Sequence, residues 1–190
     1  MTNTKRRMIE PRRLLALLAL VTLAGTVAGT ARAMEVIPSF GLAKSTDTNA
    51  GDAQGFGGVA LRAPLLPFLK VEGAIGYRQD SYSGGDLKVR QWPVTASVWA
   101  APLPMVYAGG GLGWYRTTLD LRDNAILKDV TTNKMGVHLG GGATVPLSPQ
   151  LGLDLNGRYI FMQKDNNNIQ VPTKFNPDFW TLGLGLAIKF

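Results

Sequence analysis

The twelve residues Phe179-Trp-Thr-Leu-Gly-Leu-Gly-Leu-Ala-Ile-Lys-Phe190 constrain the fold more than any other stretch of the chain. Side chains of an extended chain alternate with period two. Trp180, Leu182, Leu184, Leu186, Ile188 and Phe190 therefore share one face, and Thr181, Gly183, Gly185, Ala187 and Lys189 share the other. The first face is wholly apolar and the second is small or polar. A soluble sheet buries an apolar face in a core. A barrel strand in a membrane turns that face to lipid and its small, polar face to the lumen. The rest of the chain has to choose between these two solutions.

The formal charge of +7 suggests a nucleic-acid partner until its distribution is examined. Lys5, Arg6, Arg7, Arg12, Arg13 and Arg32 are six of the 20 basic residues, and Glu10 is the only acid among the first 33 residues. Residues 34–190 keep 14 basic and 12 acidic residues, so no basic stripe remains there to hold nucleic acid. The early basic residues flank the apolar run Leu14–Gly29, which ends at Ala31-Arg32-Ala33, a small-x-small cleavage pattern. That order reads as a secretory signal peptide over residues 1–33, removed after Ala33, with an uncleaved inner-membrane anchor as the alternative. Cysteine is absent, which excludes disulfides and thiolate metal sites. Beyond the leader no apolar run approaches the roughly 20 residues of a spanning helix.

From Met34 the chain divides into eight stretches near the ten or so residues with which a tilted strand crosses a bilayer. They run approximately 34–44, 54–63, 68–79, 88–100, 105–119, 134–147, 151–163 and 179–190. Pro64-Leu-Leu-Pro67, Ala101-Pro-Leu-Pro104 and Ser148-Pro-Gln150 make short connections at which proline ends the ladder. Ser45–Ala53, Asp80–Leu87, Leu121–Asn133 and Lys164–Asp178 make longer polar ones. Residues 34–190 are thus expected to form an all-β domain, an eight-stranded antiparallel up-and-down transmembrane barrel. Its short turns and both termini would be periplasmic and its long loops extracellular.

Parity supports the same choice. Leu151, Leu153, Leu155, Tyr159 and Phe161 oppose Asp154, Asn156 and Arg158, while Leu69, Val71, Ile75 and Tyr77 oppose Lys70, Glu72 and Arg78. Tyr77, Trp92, Trp114, Tyr159, Phe161 and Trp180 all take outward parity toward the long-loop ends of their strands. Amphipathic rings are stable at headgroup level, so these six are expected to form an aromatic girdle.

The strand number, the loop asymmetry and the terminal Phe190 resemble the small OmpA/OmpX-type outer-membrane barrel family. Pro146-Leu-Ser-Pro-Gln-Leu-Gly-Leu-Asp-Leu-Asn-Gly-Arg-Tyr159 is similar to the turn-and-strand wording of that family. The resemblance implies a bacterial outer-membrane location, with outer-membrane lipid and lipopolysaccharide as surroundings. It also implies that the barrel-assembly machinery reads the C-terminal strand at Phe190.

Eight charged residues are expected to line the lumen: Glu35, Arg62, Lys70, Glu72, Arg78, Asp154, Arg158 and Lys189. They read either as the selectivity lining of a narrow pore or as a paired plug, and an eight-stranded interior is just wide enough for side chains to fill. Glu72 and Asp154 would then pair with Arg62, Lys70 or Arg158. Inward glycines at 109, 111, 113, 140, 142, 183 and 185 leave room for wet cavities. His138, the one histidine, has inward parity and Gly140 two residues on. Lipid A deacylase barrels carry a serine at that place, and no nucleophile–base pair is evident from spacing. Gly109-Gly-Gly-Leu-Gly113 leads into extended chain instead of the helix that a phosphate loop needs. Asp120, Asp123, Asp129 and the Asp165–Asn168 run lack EF-hand spacing. The expectation is a non-enzymatic barrel without cofactor or metal, whose role is structural or surface-binding through its long loops. A narrow passive channel is the alternative and a lipid A-modifying enzyme the third reading.

Overall fold

The computed structural model describes residues 34–47, 51–82, 87–121, 130–163 and 177–190. The leader, Asp123, Asp129 and the Asp165–Asn168 run lie outside the described residues, as does most of the two longest polar connections. Eight strands follow in order: β1 (Glu35–Ser45), β2 (Gln54–Leu66), β3 (Leu69–Tyr82), β4 (Leu87–Ala100), β5 (Val106–Leu121), β6 (Val130–Pro146), β7 (Leu151–Met162) and β8 (Phe179–Lys189). Each pairs antiparallel with its neighbours in sequence, and β8 returns to β1, so the sheet is a closed barrel. The seam closes fully at the terminal end, where Met34 and Phe190 exchange two backbone hydrogen bonds of 3.1 Å. Closure leaves no strand edge unpaired, which is what a spanning sheet requires in hydrocarbon.

The burial pattern is inside-out. Phe40 is 67% exposed and Leu182 58%, while Arg62 is 1% and Asp154 0% exposed. Val94, on the same face as Trp92 and Val98, is likewise exposed, whereas Glu72 is buried. Each large apolar side chain left in water forgoes roughly 1.5–3 kcal/mol, so the outer wall is stable only against acyl chains. The outward run of β8, from Trp180 to Phe190, climbs about 25 Å at a tilt near 40°, matching the apolar band of such barrels.

Two features depart from the sequence expectation. Several strands are longer at the long-loop end: β6 starts at Val130, and β5 continues seven residues past Trp114. The sheet therefore extends beyond the level of the aromatic rings, because Thr and charged residues pair as well as apolar ones once water is the solvent. Second, proline does not end β2, which runs through Pro64 to Leu66 with a shift of register between them. A bulge absorbs the missing N–H. Pro38 and Pro93 stand within β1 and β4, and pairing lapses beside each while the register on either side is kept. Each costs a ladder bond without breaking its strand.

Candidate functional site: the charged lumen

Period-two alternation turns the residues between the lipid-facing ones inward, and the register decides which of them meet. Arg62 of β2 lies opposite Glu35 of β1 and Glu72 of β3. Its Nε donates to Glu72 Oε2 at 2.9 Å, and Nη2 reaches the same oxygen at 2.8 Å. From Nη1 it crosses the lumen to Asp154 Oδ2 on β7, also at 2.9 Å. The guanidinium also donates to the Tyr107 hydroxyl at 3.2 Å and lies 4.4 Å from that ring's centre.

Asp154 is the acceptor on which the network converges. Besides Arg62 it takes hydrogen bonds from Tyr107 at 2.8 Å, Thr144 at 2.8 Å and Asn156 at 3.3 Å. Glu72 takes a second cation, Arg158, at 2.6 Å. Buried ions persist only when paired and hydrogen-bonded in this way. Lys70 sits 3.7 Å from Glu35, and Arg62 completes the cluster at 3.9 Å from the same carboxylate. Six of the eight predicted lumen charges therefore form one connected group. Lys189, in register with Glu35, lines the short-turn mouth beside it. Arg78 sits apart: its Nε donates to Gln91 at 2.7 Å, and its guanidinium lies 3.6 Å from the Phe179 ring centre.

Many inward glycines serve as floors for aromatic rings. A Cβ at Gly113 would meet the Tyr115 ring at 2.5 Å, and one at Gly142 the Tyr107 hydroxyl at 2.6 Å. Two cavities lie against this network. One, of about 100 Å³, is bordered by Arg62, Glu72, Tyr115, His138 and Arg158. The other, of about 190 Å³ at the short-turn mouth, is bordered by Glu35, Arg62, Pro64, Lys70 and Lys189. Arg62 borders both. Among the described residues the Tyr115 hydroxyl and His138 Nδ1 have no protein partner, and the first cavity has room for a water at each.

The expectation that no nucleophile–base pair exists is corrected at one place. Ser97 Oγ and His138 Nε2 lie 2.9 Å apart. Ser97 of β4 and His138 of β6 both pair with Gly111 of β5, and a glycine between them lets the two side chains meet. Sequence spacing cannot reveal a contact made across a third strand. Among the described residues no carboxylate orients Nδ1, and both side chains of the pair are buried. Among the described residues no cluster of His, Asp or Glu is arranged to hold a metal ion.

Sequence reasoning also missed Tyr107, Thr144, Gln91 and Thr117. These neutral residues became visible only once strand register placed them beside the charges. Of the aromatic residues expected in a girdle, Trp92, Trp114 and Phe161 are exposed on the outer wall, and Tyr77, Tyr159 and Trp180 are half-buried there. Tyr77 packs against Trp92 in a tilted contact with ring centres 4.8 Å apart, and Tyr159 against Phe161 in another at 4.7 Å.

Comparison with solved structures places this architecture among small bacterial barrels. Neisserial surface protein A is 18% identical, with a TM-score of 0.66 over 83% of this chain and 97% of that one. Ail, the attachment invasion locus protein of Yersinia pestis, is 13% identical, with a TM-score of 0.57 over 85% of this chain and all of that one. OprG of Pseudomonas aeruginosa is 15% identical, with a TM-score of 0.51 over 85% and 98%. These likenesses establish the fold. No curated protein matches the sequence significantly. The family model for the outer membrane protein beta-barrel domain matches residues 14–190, and the chain belongs to that family, as a barrel of the bacterial outer membrane.

Proposed function

We propose that the protein is a closed, non-enzymatic barrel that holds its four long connections at the cell surface as contact sites. The observation carrying this reading is Arg62. It is buried, bonded to Glu72, Asp154 and Tyr107, and borders both lumen cavities. A septum held by two ion pairs and a phenol favours a plugged lumen over an open pore. Loops on a rigid scaffold are where binding resides in such architectures. Two of the structural relatives are a neisserial surface protein and an attachment invasion locus protein.

In this reading residues 1–33 are an export signal cleaved after Ala33, and residues 34–190 are the barrel domain. The assembly machinery engages β8 through Phe190, and outer-leaflet lipid and lipopolysaccharide surround the wall. A narrow passive channel is the second reading, favoured by the two cavities that Arg62 borders within the lumen. Planar-bilayer recording tests the choice. The plug reading expects no steady conductance from the wild type and a measurable one from Arg62→Ala. Stable wild-type conductance would establish the channel instead.

A further inference from the structure

Inward parity brings four charged side chains to the cavity of about 190 Å³ at the short-turn mouth. Lys189 of β8 is in register with Glu35 of β1, Glu35 with Arg62 of β2, and Lys70 of β3 with Pro64 of β2. The compact proline ring lets Lys70 reach past β2 to Glu35. Glu35 is held by charge alone. Its Oε1 lies 3.7 Å from Lys70 Nζ and its Oε2 3.9 Å from Arg62 Nη1, both beyond hydrogen-bond length. Oε2 is shielded from solvent, and among the described residues nothing donates to it. Lys189 borders the same cavity and makes no ion pair among the described residues. Counted by side chain, Arg62, Lys70, Arg158 and Lys189 face only three carboxylates, Glu35, Glu72 and Asp154. One positive charge is in surplus, and it stands at the cavity.

We infer that this mouth cavity binds a small oxyanion that keeps one hydroxyl, with hydrogen phosphate as the type. Such an ion supplies both things the site lacks. Its charged oxygens accept from Lys70 and Lys189, and its hydroxyl donates to Glu35 Oε2. Three strand spacings separate the two lysine backbones, about 14 Å, so their side chains can converge on one ion above Glu35. Sulfate and simple carboxylates have no proton to donate and would turn lone pairs toward Glu35. A bridging water would satisfy Oε2 but leave the surplus charge. That surplus also selects an anion over a zwitterion. The lysines line the lumen and not the outer wall, so the ion comes from solution and not from a lipid headgroup. The cavity has room for on the order of ten waters, and so for a partly hydrated ion.

The test uses the full barrel in a maltoside detergent, which carries no phosphate, with inorganic phosphate and sulfate titrated calorimetrically at matched ionic strength. The wild type is expected to bind phosphate about tenfold more tightly than sulfate, since only phosphate offers Glu35 a donor. Glu35→Gln, whose amide can itself donate, should bring the two anions to within about threefold. Lys189→Gln should weaken phosphate about tenfold, and Lys44→Gln, which removes the same charge from the outer wall, should leave it unchanged. Heat-modifiable gel mobility confirms that each variant is folded. If Glu35→Gln fails to fold, the wild-type preference and Lys189→Gln decide alone, because Lys189 stands outside every ion pair of the network. The site is overturned if the wild type shows no saturable phosphate binding at millimolar concentration, binds sulfate equally well, or is unaffected by Lys189→Gln. Displacement of phosphate by phosphatidic acid in the micelle would overturn the assignment to a soluble ion. None of these failures touches the plugged-scaffold reading, which stands or falls on conductance.

Discussion

Replacing Arg62 by leucine removes the cation common to Glu72 and Asp154, whose side chains are both fully shielded from solvent. Glu72 keeps Arg158, but Asp154 loses the one ion pair it makes among the described residues and is left with Tyr107, Thr144 and Asn156. Breaking one partner out of a buried pair costs about 3–5 kcal/mol, because the remaining charge is stranded. With an m-value of about 2 kcal/mol/M, the urea midpoint should fall by about 1.5–2.5 M. Unfolding in phospholipid vesicles, followed by tryptophan fluorescence, reads this directly. The decisive comparison is Asp154→Asn in the two backgrounds. In the wild type it should destabilise, since Arg62 loses a counter-charge. In Arg62→Leu it should stabilise, since the stranded carboxylate is gone. Destabilisation in both backgrounds, or a midpoint shift below about 0.5 M for Arg62→Leu, would refute the idea that paired charges hold the lumen together.

Four further outcomes follow from the same structure. Gly142→Val puts a branched side chain where a Cβ already meets the Tyr107 hydroxyl at 2.6 Å, so it should cost about 1–3 kcal/mol in the same urea assay. Ser97→Ala leaves His138 Nε2 without its partner and should cost about 1 kcal/mol, while lipid A profiles from cells making it stay identical to wild type. Leu139→Arg, on the outward face, should cost about 2–4 kcal/mol near the bilayer midplane. Phe190→Ala should lower the amount of barrel recovered from outer membranes. It should leave refolding into detergent unaffected, because the Met34–Phe190 backbone bonds do not need the ring.

Facing was legible in the sequence because it depends only on a period of two. Once Leu182 is taken as outward, Gly183 and Lys189 must be inward, and the same rule sorts Glu72 from Val71. Antiparallel order was legible too, since short and long connections alternate. Partner choice was not. Arg62 meets Asp154 across 92 residues, and that contact depends on how far the closed sheet is sheared, which no local pattern encodes. The Ser97–His138 contact was hidden for a related reason, as it is made over Gly111 of a third strand. Strand length was read short where the apolar pattern fades, because pairing continues in water without lipid to impose alternation. The glycines were ambiguous for a geometric reason. Gly113 looks alike in sequence whether it borders a void or lies under Tyr115, and only the fold shows the ring above it.

The most direct test of the inside-out wall uses the absence of native cysteine. Single cysteines at Leu112, Leu139 and Leu182, and at Gly140, Asn156 and Thr181, would carry spin labels in bilayer-reconstituted protein. Collision with membrane-dissolved oxygen should be high at the first three positions and low at the second three. The opposite pattern, with the leucine sites shielded from oxygen and the lumen sites open to lipid, would contradict the fold and everything built on it.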